Sequence, residues 1–142
     1  MLDGEYVWNT AFNRDDVAAK ALANPIPAGP NVQATGAPPN SGYAGGNLGW
    51  LARMTVGDRE LKQLGDWNVH VGYKWLESDA VIDAFTDSDF GLGGTNLKGY
   101  FFGGNVAVSA NVWLSARWMS ANQVAGAPYA VDVAQVDLNA RF

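Results

Sequence analysis

Cysteine is absent from the 142 residues, which excludes disulfides and thiolate metal sites. It also suits a chain that must cross an oxidising space without mispairing. Histidine occurs once, as His70. With one imidazole and no thiol, no transition-metal site is expected within the chain. Charge is sparse too: charged residues make up 16%, below the roughly 25% usual for soluble domains. The net charge of −5 argues against a nucleic-acid partner. No apolar run approaches the roughly 18–20 residues of a transmembrane helix. The opening stretch, MLDGEYVWNT, lacks the basic-then-apolar plan of a signal peptide and reads like the middle of a strand. Two expectations follow: a cytosolic protein, or the mature segment of something longer.

What the chain does have is alternation. Hydrophobic residues make up 48% and include six Trp, alongside seventeen Gly. In WNVHVGYKW the odd positions are Trp67, Val69, Val71, Tyr73 and Trp75, and the even ones Asn68, His70, Gly72 and Lys74. Further on, Val112, Leu114, Ala116 and Trp118 oppose Ser115 and Arg117, while Trp50, Ala52, Met54 and Val56 oppose Arg53 and Thr55. Near the start, Tyr6, Trp8, Thr10 and Phe12 oppose Glu5, Val7 and Asn9. In GYFFGGNVAV the adjacent Phe101 and Phe102 blur the pattern, and Tyr100, Phe102, Gly104 and Val106 are taken as the dry face. At the end, Ala134, Val136, Leu138, Ala140 and Phe142 oppose Gln135, Asp137, Asn139 and Arg141. Period two with one dry side and one wet side is the mark of strands.

Six strands are expected, at about 2–13, 42–57, 66–79, 95–108, 111–122 and 130–142. All six prolines fall outside them, as residues without an N–H must. The connections alternate in length: 14–41 is long, with a short helix expected in DDVAAKALA; 58–65 is shorter and charged; 80–94 is long; and 109–110 is tight. This order describes a meander forming a single domain.

A soluble β-sandwich also alternates. Three features favour a membrane. Trp and Tyr cluster near strand ends on the dry face: Trp50, Trp67, Tyr73, Trp75, Tyr100 and Trp118 form the expected aromatic girdle. Trp67 and Trp75, on one strand tilted near 40°, would stand roughly 20 Å apart along the membrane normal. The opposite face carries mid-strand charges, Arg53, His70, Lys74, Arg117 and Asp137, which a watery lumen tolerates. On the lipid face Arg or Lys would cost about 2–4 kcal/mol at the midplane. Finally, the loops are long at one end and short at the other. Strands in lipid must close into a barrel, and single-chain barrels begin at about eight strands. The expected fold is therefore all-β: an antiparallel transmembrane β-barrel, with these as six C-terminal strands of a larger or shared barrel.

The ending AVDVAQVDLNARF resembles the C-terminal assembly signal of Gram-negative outer-membrane β-barrels. More narrowly, GDWNVHVGYKWLESDAVIDAFTDSDFGLGGTNLKGY followed by VWLSARWMSA resembles the bacterial "putative porin" family. The resemblance covers residues 42–142, with LDGEYVWNTAF fitting more weakly. It implies an outer-membrane porin for passive diffusion of ions or small hydrophilic solutes, without cofactor or catalysis. It further implies lipid and lipopolysaccharide as surroundings, and trimers by analogy. Val136, Leu138 and Phe142 would be the apolar readout of the barrel-assembly machinery.

Catalysis finds little footing. A Ser–His–acid hydrolase needs a serine poised beside His70, and Ser109, Ser115 and Ser120 lie in no recognisable nucleophile setting. The acidic stretch Glu77, Asp79, Asp83, Asp87 and Asp89 is rich in oxygen but lacks the spacing and final Glu of an EF-hand. It is either a solvated external loop, or a loop folded inward to narrow the pore opposite Arg53, Lys74 and Arg117. Residues 14–41 are long enough to plug a barrel, which keeps open a structural or anchoring module. Lys98 shares the parity of Tyr100 and Phe102 and could reach head-group phosphates by snorkelling.

Overall fold

The computed structural model describes residues 1–23, 44–126 and 128–141. Alternation becomes one six-stranded antiparallel sheet in simple meander order. Its strands are β1 (Leu2–Trp8), β2 (Leu48–Gly57), β3 (Trp67–Leu76), β4 (Leu97–Ser109), β5 (Val112–Gln123) and β6 (Ala130–Ala140). A helix α1 spans Arg14–Ala23. The sheet is not closed: among the described residues, β1 and β6 each pair on one side only. Phe142, Pro25, Pro27, Pro30, Pro38, Pro39 and most of the 14–41 connection lie outside the described residues.

Three strands are shorter than their periodicity, for local reasons. β1 ends at Trp8, not at residue 13, because Asn9 turns the chain. Its side-chain oxygen accepts from the Ala11 N–H at 3.1 Å and its amide donates to the Asp79 carbonyl at 2.8 Å. Thr10 and Phe12 thereby leave the ladder. Asn13 then starts α1, its Oδ1 accepting from the N–H groups of Asp15 and Asp16, as an N-cap side chain does. β2 begins at Leu48 and β3 stops at Leu76 because the Glu77 carboxylate takes the Leu48 N–H at 2.8 Å.

Register sets the faces. Across the sheet, Tyr6, Trp50, Trp75, Lys98, Asn122 and Ala130 stand in one row. Leu2, Met54, Val71, Phe102, Trp118 and Ala134 form another row on the same side. This side is apolar and exposed: Leu2 is 80% accessible, Leu138 73% and Val136 69%. The reading of Tyr100, Phe102 and Val106 as one face holds; all three are exposed. The main cluster of buried apolar side chains lies on the other side, where Phe90, Leu97, Met119 and Ala121 pack with Phe101, Val131 and Val133.

Two carboxylates brace the β2–β3 connection: Asp58 accepts from the Trp67 N–H at 3.0 Å, and Asp66 takes two donors. Asp66 Oδ2 accepts from the backbone N–H groups of Lys62 at 2.8 Å and Gln63 at 2.7 Å. Those two bonds lower its pKa below the ordinary carboxylate value. A depressed folded pKa contributes stability that is present above the unfolded value and lost as pH falls through the folded one. Lys62 and Gln63 amides are therefore expected to keep hydrogen-exchange protection through the ordinary carboxylate range and to lose it as pH falls below that range. Protection that stays constant, after correction for intrinsic rates, would count against this.

Candidate functional site

The polar side of the sheet gathers the charged residues expected there. Asp3, Arg53, Gly72, Phe101, Met119 and Val133 share one row, and the next holds Thr55, His70, Gly103, Arg117 and Gln135. Leu51, Lys74 and Gly99 lie one row to one side, and Asn68, Asn105, Ser115 and Asp137 one row to the other. Two glycines leave room for rings. Phe101 lies across Gly72, where an added Cβ would come within 2.2 Å of Cζ. His70 lies over Gly103, where a Cβ would meet Nε2 at 2.7 Å.

The 77–96 connection folds back across this side rather than away from the sheet. It contains two short 3-10 turns, Asp83–Phe85 and Phe90–Leu92. Phe90 is only 2% accessible and enters the Leu97–Met119–Ala121 cluster. Gly91, at a φ of +67°, sits where any Cβ would strike Leu97 and approach Ala121. Asn96 ties the same segment to the β5–β6 loop, donating to the Ala125 carbonyl at 2.8 Å and accepting from its N–H at 3.1 Å.

Once docked, the loop brings acids to bases. Arg117 pairs with Asp89 and, at 3.7 Å, with Asp87. Its Nε also donates to Gln135 at 3.0 Å, and Gln135 donates on to Asp137 at 3.2 Å. Lys74 Nζ stands 4.9 Å from the centre of the Phe90 ring, within cation–π range. Arg53 is held instead by Asp3 of β1, with Nη2–Oδ1 at 2.9 Å. Between loop and sheet a hollow of about 180 Å³ is lined by Arg53, His70, Lys74, Asp87, Phe101 and Arg117, among others. Nearer the short-turn end, Asn68, Asn105, Ser115 and Asn139 form a neutral hydrogen-bonded chain across four strands, with bonds of 2.6–3.0 Å.

The model of the family described as "Putative porin" matches residues 1–142, the whole chain. The chain belongs to this porin family. The match reaches upstream of residue 42, where the sequence resemblance was weak. No curated protein and no solved structure matches the chain.

Within this porin-family chain, Arg53, His70, Lys74, Arg117 and Asp137 share one face. Of the four loop aspartates, Asp87 and Asp89 join them and Asp79 and Asp83 do not. Asp79 accepts from the Ser78 hydroxyl at 2.7 Å, and Asp83 from Thr95 at 2.7 Å. Partial burial, then the charge of Asp83, raises the Asp79 carboxyl above its ordinary value. Among the described residues no three His or acidic side chains are placed to hold a metal ion.

The girdle residues all lie on the apolar side. Trp50 and Trp75 pair directly in one row, with Tyr73 and Tyr100 in the next. Trp50 stacks on Tyr73 at 5.4 Å and Tyr73 meets Tyr100 edge-on at 4.7 Å. Trp67 stands at the opposite end of β3. Trp118 sits a row farther in than Tyr100, level with Phe102, because β5 pairs in that register. Sequence reasoning placed Gln135 on the polar face without naming it a site residue, and missed Asp3 and Phe90. Parity could have found Asp3; Phe90, in a loop, has no periodic signal.

Proposed function

We propose that the protein is a Gram-negative outer-membrane porin, its six strands forming part of a transmembrane barrel completed by further strands or further copies. The observation that carries this reading is the division of the sheet: exposed apolar side chains on one side, and on the other a charged, loop-covered side. A soluble sandwich would bury the first side against a second sheet. A lipid-facing wall leaves it bare, with the aromatic rows at its ends. In this reading Arg53, His70, Lys74, Arg117 and Asp137 line the lumen, and the docked 77–96 loop narrows it. Ions or small hydrophilic solutes pass by passive diffusion, without catalysis or cofactor. His70 faces Gly103 and the Phe101 ring, and Ser115 donates to Asn105, so neither is set as a hydrolase pair. Val136 and Leu138, exposed on β6, suit recognition by the barrel-assembly machinery.

One observation favours a second reading, a plugged structural barrel: Phe90 fixes the loop across the polar side. Single-channel recording across a planar bilayer, under a salt gradient, separates the two. Stepwise, long-lived conductance is the expected result. A silent bilayer with insertion confirmed independently would sink the open channel and leave the plugged barrel.

A further inference from the structure

We propose that Lys98 and Trp75, on the apolar side, form a binding site for the phosphate group of a membrane lipid. This rests on the membrane reading above, but adds a ligand and a place for it. Among the described residues, only two strand residues on the apolar side carry charge, Lys98 and Asp132. Both fall in the two rows at the end of the 77–96 loop, where Ser120 and Asn122 also interrupt the apolar pattern. The three rows below, from Phe102 through Gly104 to Val106, carry no charge on any strand. The change from apolar to polar therefore marks a depth, and Lys98 stands at it.

The lysine is positioned for an anion. Its Nζ lies 4.9 Å from the centre of the Trp75 ring, which holds the ammonium by its charge while leaving N–H donors uncommitted. Among the described residues no carboxylate forms a salt bridge with it. Asn122, its direct neighbour on β5, adds an amide. Asp132 lies two strands away on β6, one row deeper, so the β3 side of Lys98 carries no carboxylate on this face.

The same strand offers a place for the lipid tail. A shallow apolar hollow of about 340 Å³ lies between Val69, Phe102, Gly104, Leu114 and Ala116. Gly104 is six residues beyond Lys98 on β4, roughly 20 Å along the strand. That separation fits a phosphate head at Lys98 with an acyl chain lying down the strand into the hollow. A soluble anion would match only the first half.

The test uses the full chain folded in detergent micelles, with dioleoyl phosphatidic acid added and retained lipid counted by native mass spectrometry. Retention is expected to fall about fivefold in Lys98→Ala and to recover in Lys98→Arg. Dioleoylglycerol, which lacks the phosphate, should be retained no better by the native chain than phosphatidic acid is by Lys98→Ala. Equal retention by the native chain and Lys98→Ala would overturn the site. So would displacement of the lipid by millimolar inorganic phosphate, which would mark a soluble-anion site. Bilayer conductance of Lys98→Ala separates the two levels: an unchanged channel with no lipid preference fails this inference alone, whereas a native chain that never inserts fails the membrane reading.

Discussion

Phe90→Ala is expected to raise single-channel conductance and to open the 77–96 loop to protease, without unfolding the sheet. Phe90 is the loop's main apolar anchor, 2% accessible among Leu97, Met119 and Ala121. Truncating a buried Phe costs about 3–5 kcal/mol. Most of that cost falls on docking of the loop, because the strand ladders on either side do not depend on Phe90 for their hydrogen bonds. Even 3 kcal/mol shifts a local docking equilibrium by more than about a hundredfold. Asn96 still ties the end of the segment to Ala125, but the polar ties at its middle, Arg117 with Asp87 and Asp89, are a third or more exposed and of the kind worth about 1 kcal/mol or less. They would not hold the loop alone. The proteolysis rate within 77–96 and the conductance step size should therefore rise together. A variant with unchanged cleavage and unchanged step size would show that Phe90 does not fix the constriction.

The sheet was legible because most strands carry their own signal: period two runs through 67–75 and 134–140 without interruption, and residue parity alone assigns Arg53, His70, Lys74 and Arg117 to one face. Even the adjacent Phe101 and Phe102 divide as parity requires, one over Gly72 on the polar side and one exposed on the other. What parity cannot supply is where a loop goes. The direction of 77–96 depends on Phe90 finding a pocket made by β4 and β5, a contact between segments with no common period. The early stop of β1 was hidden for a similar reason. Thr10 and Phe12 keep the alternation, but the Asn9 side chain diverts the backbone by bonding to residues 11 and 79. Side-chain competition for backbone groups overrides pattern at such points.

Arg117→Ala is expected to shift the reversal potential toward cation selectivity by more than loss of one charge elsewhere on the same face. Arg117 is the hub of the site: it meets Asp87 and Asp89 from the loop and Gln135 from β6. Removing it deletes one positive charge and frees two carboxylates it had neutralised in part. Arg53→Ala is the matched control, since among the described residues Arg53 is paired with Asp3 alone. Both substitutions remove one positive charge from adjacent rows of the same face. If lumen charge alone set selectivity, the two variants would shift alike. The geometry predicts a larger shift for Arg117→Ala, and one that shrinks in Arg117→Ala combined with Asp87→Asn and Asp89→Asn, where the freed carboxylates are gone. Raising salt from about 0.1 M to about 1 M should shrink both shifts, as the screening length contracts from about 10 Å to about 3 Å. Equal shifts for Arg53→Ala and Arg117→Ala would mean that the loop acids do not face the ion path. No shift for either in a conducting channel would place both arginines outside the lumen.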